Sequence, residues 1–150
     1  MKRVLPENDN FITATMNGFA GLLNQQGKPA EAEVMFRELL VIQNRRLGPT
    51  HPSTLMDLCN LGSVLSKQEK HAEAETCLRE CYEAQVTVLG AIHPDTLDSA
   101  SLLGNVLSEL GRHEEAEPLL RETLKLQTEV LGVDHPRTQC TARRLAFHFE

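Results

Sequence analysis

A chain of 150 residues, 41% of them apolar, is one domain's worth of sequence and can bury a core. Its 15 basic and 21 acidic residues leave a net charge of -6, which argues against the basic footprint of a nucleic-acid binder. No run approaches the ~18 consecutive apolar residues of a membrane span.

The opening "MKRVLPENDN" has no apolar h-region, so no secretory leader is expected. Cys59, Cys77, Cys81 and Cys140 lack C-x-x-C spacing and fall at helical, partly apolar positions. Free thiols in a reducing cytosol, and hence a cytoplasmic protein, are the expectation.

Residues 1–8 are expected to form an N-terminal tail, with Asp9 as the N-cap of a first helix carrying Phe19, Ala20 and Leu23. A second helix follows over "AEAEVMFRELL" (30–40), and "LGPTHPST" (47–54) closes the unit. Beyond it Leu58, Leu61, Gly62 and Leu65 stand at i, i+3, i+4 and i+7, one stripe of a helix. The polar break "SKQEKH" (66–71) leads to a partner helix with Ala74, Leu78, Cys81 and Gln85 on its stripe. "LGAIHPDT" (89–96) opens a third unit, in which Gly111 of "SELGRH" (108–113) suits a left-handed position after the helix. "LGVDHPRT" (131–138) opens one last helix.

His51, His93 and His135 are therefore 42 residues apart without slippage. Residues 51–92 laid over 93–134 match at 20 of 42 positions, too many for anything but a duplicated unit. The expected organisation is repeat 9–50, repeat 51–92, repeat 93–134 and a half repeat 135–150. Each full repeat is a helix A, a short turn and a helix B, and the fold class is an all-α solenoid of antiparallel helix pairs. Small residues at Ala20, Gly62, Gly104 and Ala146, and at Ala32, Ala74 and Ala116, are expected where helices approach closely.

The recurring phrase reads as punctuation. Gly48, Gly90 and Gly132 can stop helix B by entering the left-handed conformation without a Cβ clash. Pro52, Pro94 and Pro136 suit the first turn of the next helix, which places each histidine at an N-cap. A shared metal would need the histidines to converge, whereas one per repeat keeps them a repeat apart. Cys77 and Cys81 with His71 lack a fourth ligand and read as core. The acidic residues of "AEAE" and "HEEAE" read as a solvated face near the N-terminus of helix B. No Gly-rich phosphate loop, G-x-S-x-G or H-E-x-x-H occurs, so neither an enzyme nor a cofactor is expected.

The run Leu-Gly-x-x-x-Leu-x-x-x-Gly-x-x-x-x-Ala-x-x-x-Leu (103–120), with its counterparts at 61–78 and 19–36, resembles the tetratricopeptide repeat. The 42-residue length and "LGxxHPxT" are similar to the kinesin-light-chain class of that repeat. The resemblance implies a right-handed superhelix whose A helices line a concave groove for peptides. On that geometry the groove residues are Asn17, Asn24 and Gln25; Cys59, Asn60, Ser63, Ser66 and Lys67; Ser101, Asn105, Ser108 and Glu109; and Arg143, Arg144 and Phe147. Of the asparagines that clamp peptides in light chains only Asn60 is present; Gly18, Leu102 and Arg144 occupy the equivalent places.

Lys67, Arg143 and Arg144 suggest a basic end and an acidic peptide as partner. The expected function is a protein–protein interaction scaffold. The alternative is a structural spacer or a module that self-associates end to end, since Phe147 and Phe149 leave apolar groups at one end.

Overall fold

The computed structural model describes residues 6–149. Seven α-helices follow one another: α1 (Pro6–Gln25), α2 (Pro29–Arg46), α3 (Pro52–Lys67), α4 (His71–Val88), α5 (Pro94–Glu109), α6 (His113–Leu131) and α7 (Pro136–Phe149). Each helix packs on its neighbours in sequence, so α1–α2, α3–α4 and α5–α6 are hairpins and α7 is a lone helix A. The A helices α3, α5 and α7 also touch one another one repeat apart.

The histidine phrase folds as its residue types dictate. In all three copies the imidazole Nδ1 accepts a hydrogen bond of 3.1 Å from the backbone N–H two residues on, at Ser53, Asp95 and Arg137. Proline fills the first helical position, where no N–H is needed. The glycines before the histidines have φ of 95°, 103° and 98°. Gly132 combines its φ with ψ of 156°, an extended region that only glycine enters readily, rather than the left-handed helical one.

The first helix departs from expectation. It begins at Pro6, inside the stretch expected to be a tail, so Asp9 lies within its first turn and is not its N-cap. A proline at the start of a helix overrode the aspartate as the boundary signal.

Each A-to-B turn closes with a six-to-one backbone bond, such as Lys70 N to Leu65 O at 3.0 Å and Arg112 N to Leu107 O at 2.9 Å. The residue before the donor needs positive φ. Gly27 and Gly111 supply it freely, but the second turn uses Glu69 at φ 63°.

Leu61, Leu65, Leu78 and Cys81 of one hairpin, with Leu103, Leu107 and Ala116 of the next, belong to a continuous core. Gly62 and Gly104 are required by contact. A Cβ on either would stand 2.6 Å from the Cγ of Leu78 or Leu120. Ala32, Ala74 and Ala116 are fully buried, as is Ala20, whereas Ala146 is exposed.

Two sets of polar bonds join the repeats. Buried Gln43, Gln85 and Gln127 of the B helices each meet the residue fourteen further on in the next helix A. Ser99 Oγ and Thr141 Oγ1 donate to Gln85 and Gln127 Oε1 at 2.6 Å, while Gln43 Nε2 donates to Asp57 at 3.3 Å. Outside, Glu33 holds Arg37 of its own helix and reaches Gln68 and Lys70 of the next hairpin. Glu75 does the same with Arg79 and Arg112. The expectation of a merely solvated acidic face is thus corrected: these carboxylates span a junction, because helix B of one hairpin lies beside the turn of the next.

Candidate peptide-binding face

The sequence places the candidate residues on A helices, but not all of them remain available. Asn17 is exposed on α1, Asn24 is half-buried, and Gln25 is exposed at the end of the helix. The Oδ1 atom of Asn24 is buried without a hydrogen-bond partner among the described residues. On α3, Asn60, Ser63 and Ser66 are half-buried and Lys67 is exposed. Cys59 is buried instead, with its Sγ 3.4 Å from Ser99 Oγ. Cys81 Sγ donates to Leu55 O at 3.1 Å and is likewise in the core.

The α5–α7 side corrects the expectation most. Ser101 is 1% exposed, and its hydroxyl lies 2.7 Å from Thr141 Oγ1 and accepts from Arg144 Nη1 at 2.6 Å. Asn105 Oδ1 is 2.9 Å from His148 Nε2, and Glu109 is 3.8 Å from the same nitrogen. Ser108 is buried. These side chains are spent holding α7 against α5. Position 101 faces the inside of the repeat stack, where the next helix A covers it. Arg143 is exposed and Phe147 is 81% exposed, so both stay on the surface.

The charges fall into two contrasting groups. Between α5 and α7, Arg137 pairs with Asp95 at 3.3 Å. Burial raises the Asp98 carboxyl above its ordinary value, opposed by Arg137 and Arg144. The expected basic end is therefore partly neutralised from within. Between α1 and α3 lies a cavity of about 360 Å³, with Asn17, Ser53, Met56, Asp57 and Asp95 among its walls. Asp57 is 3% exposed. Burial pushes its carboxyl up to about 6, with only the Gln43 hydrogen bond pulling the other way.

Sequence reasoning placed Gln85 on the stripe of its helix without its partner, and missed Gln43, Gln127, Asp57, Ser99 and Thr141. The signal was present: one glutamine per repeat on an otherwise apolar stripe, answered by a polar residue at a constant distance along the chain.

Helical hairpins of 42 residues, stacked so that each buries the face of the last, make this an α-solenoid repeat protein. Residues 11–85 and 96–137 match two family models, each described as Tetratricopeptide repeat, and the chain belongs to that family. Its structural neighbours are kinesin-light-chain-like. A variant of such a protein from Podosopora anserina, with nearly identical TPR-like repeats, superposes with TM-score 0.74 at 25% identity, covering 91% of this chain and 65% of that one. The corresponding protein without that change gives 0.73 at 23%, covering 99% and 69%. BtubC (BKLC) from P. vanneervenii gives 0.75 at 15%, covering 97% and 59%. The chain thus spans roughly two thirds or less of those chains' lengths. No curated protein matches it. Among the described residues no helix is long and apolar enough to cross a membrane.

Proposed function

We propose that the A helices form a binding face for a peptide segment of another protein, laid across α1, α3 and the exposed edge of α7. Tetratricopeptide repeats are in general protein–protein interaction modules. One observation supports the face: Asn17, Asn60, Ser63 and Lys67 make no side-chain hydrogen bond or ion pair among the described residues. By contrast Ser99, Ser101, Asn105 and Thr141 are committed to neighbouring helices. Unspent donors and acceptors suit the backbone of an extended peptide. Lys67 and Arg143 remain surface cations for an acidic residue of such a peptide, since Arg144 is held by Ser101.

The test is selection of peptides from a random library, followed by binding to an Asn60→Ala/Ser63→Ala variant. Affinity is expected to fall about tenfold, the loss of two hydrogen bonds. A control on the far side of α4, Glu80→Ala, is expected to change nothing. Equal affinity in all three proteins would overturn the reading.

Self-association is the second reading. Phe11 at 72% and Phe147 at 81% exposure leave apolar surface on the first and last helices, whereas Phe149, expected to be open, packs partly buried against the core. It requires molecular mass by light scattering to grow with concentration and to stop growing in Phe11→Glu and Phe147→Glu.

A further inference from the structure

We propose that the cavity between α1 and α3 receives a cationic side chain, arginine before lysine, from a bound peptide, with Asp57 as its counter-ion. The inference deepens the peptide-binding reading and rests on it for the source of the cation.

The three repeat junctions make the argument by comparison. At two of them a neutral hydroxyl answers the buried glutamine, with Ser99 and Thr141 donating at 2.6 Å. Those pairs are uncharged, although Gln127 Nε2 is left buried without a partner among the described residues. At the first junction a carboxylate stands in the same place, so the amide of Gln43 must turn its Nε2 toward Asp57, at a longer 3.3 Å. Gln43 Oε1 is then taken by Arg46 Nη1 at 3.0 Å, which holds that guanidinium behind the amide.

A charge has been buried with one hydrogen bond and, among the described residues, no ion pair. The contrast with Asp95 on the same cavity is direct, because that carboxylate already has Arg137. A buried carboxylate without a cation is costly. Here it also lines open space.

The cavity, about 360 Å³, is at the small end of ligand sites, which run from about 300 to 1,000 Å³. Its walls are of the right kinds. Met56 offers an apolar surface for an aliphatic stem, and Asn17 and Ser53 offer polar atoms near the rim. Asp95 adds a second carboxylate, already shared with Arg137. A guanidinium has five N–H donors in a fixed fork, and a site with carboxylate, amide and hydroxyl acceptors uses more of them than an ammonium could.

The charged groups around Asp57 set the pH response. They are Asp95 on the cavity wall, Arg137 paired with it and Arg46 on Gln43. Asp57 is raised to about 6 by burial, so cation binding is expected to strengthen as pH rises through about 6.

The experiment follows the Asp57 carboxyl by carbon NMR while N-acetyl-arginine amide is added, with N-acetyl-citrulline amide as the uncharged match. Arginine amide is expected to lower the Asp57 midpoint and to shift resonances of Met56 and Asn17, and citrulline amide to do neither. Asp57→Asn is expected to weaken binding at least about tenfold, with its thermal melt reporting that it folds. Ala14→Arg, on an exposed wall position of α1, places a guanidinium at the mouth in cis and is expected to lower the Asp57 midpoint without ligand.

Retained binding in Asp57→Asn, or equal response to citrulline, overturns the proposal. So does an unmoved Asp57 under arginine amide while selected peptides still bind through Asn60 and Ser63, an outcome that leaves the peptide reading standing. Arginine amide binding at Asp57 with no peptide ever selected supports the cation site and removes the peptide reading.

Discussion

Glu69 and Asp57 are two residues whose side chains do not suit the positions they hold. Glu69 has φ of 63° where Gly27 and Gly111 stand in the other turns. A side chain there costs on the order of 1 kcal/mol or more, partly offset because glycine gives the unfolded chain more freedom. Glu69→Gly is expected to gain about 0.5–1 kcal/mol, read as a higher midpoint in urea. Asp57 acts through protons. Its carboxyl titrates near 3.8 when unfolded and about 6 when folded, so the folded state holds the proton more tightly. The cost of charging it is absent below pH ~4, grows from there to about 6 and is complete above. Asp57→Asn is therefore expected to be more stable than the parent by about 1–3 kcal/mol at pH 7. The advantage should shrink toward pH 4, as followed by chemical denaturation across that range. At this scale the sequence was read well where a residue acts on its own backbone. The histidine caps needed only His, Pro and a helix. It was read poorly where two distant side chains answer each other. Ser101, Asn105 and Arg144 have the right chemistry for a ligand and spend it on α7.

Within an element, the spacing of small residues decides how near two helices come. Gly104 has no room for a Cβ, because Leu120 Cγ and Cδ2 would lie 2.6 Å away. Gly18, on α1, would meet nothing within 4 Å. The same substitution should therefore have opposite signs. Gly104→Ala is expected to destabilise by about 1–3 kcal/mol through overpacking. Gly18→Ala is expected to stabilise by up to about 1 kcal/mol through helix propensity. Calorimetric midpoints of the two variants check the pair. Helix order and length were legible because the apolar period and the Gly, His and Pro signals agreed at each boundary. The exception, the start of α1, came where the first copy lacks the His-Pro phrase. Pro6 and Asp9 are both starting signals, and only their neighbours could rank them.

Across the whole molecule, stability is a chain of neighbour contacts, and charge adds to each link. Glu33 joins the first and second hairpins. Its carboxyl is lowered to about 2, first by the Gln68 hydrogen bond and then by Arg37 and Lys70, against the opposing effect of burial. The folded value lies below the unfolded one, so the stabilisation is complete above pH ~4.5 and is lost as pH falls through about 2. Glu33→Gln is expected to cost about 1 kcal/mol at neutral pH, after allowing for solvent screening. The cost should disappear at the acid end, as measured by melting in low salt. The 42-residue period made the solenoid legible, since each copy confirms the others. The binding face was only partly so: periodicity assigns a side of a helix, while occupancy by the next repeat depends on which side chains happen to meet there.

The amide that clasps every junction can present either its oxygen or its nitrogen, and it does both here. A hydroxyl, a carboxylate or another neutral partner is accepted with no change to the glutamine itself. Interchanging residues 51–92 with 93–134 would bring Gln43 to Ser99 and Gln127 to Asp57, giving each glutamine a polar residue to meet. Such shuffling is open to gene duplication because the coupler is ambidextrous, and each rearrangement would carry the unpaired negative charge to a different notch along the array.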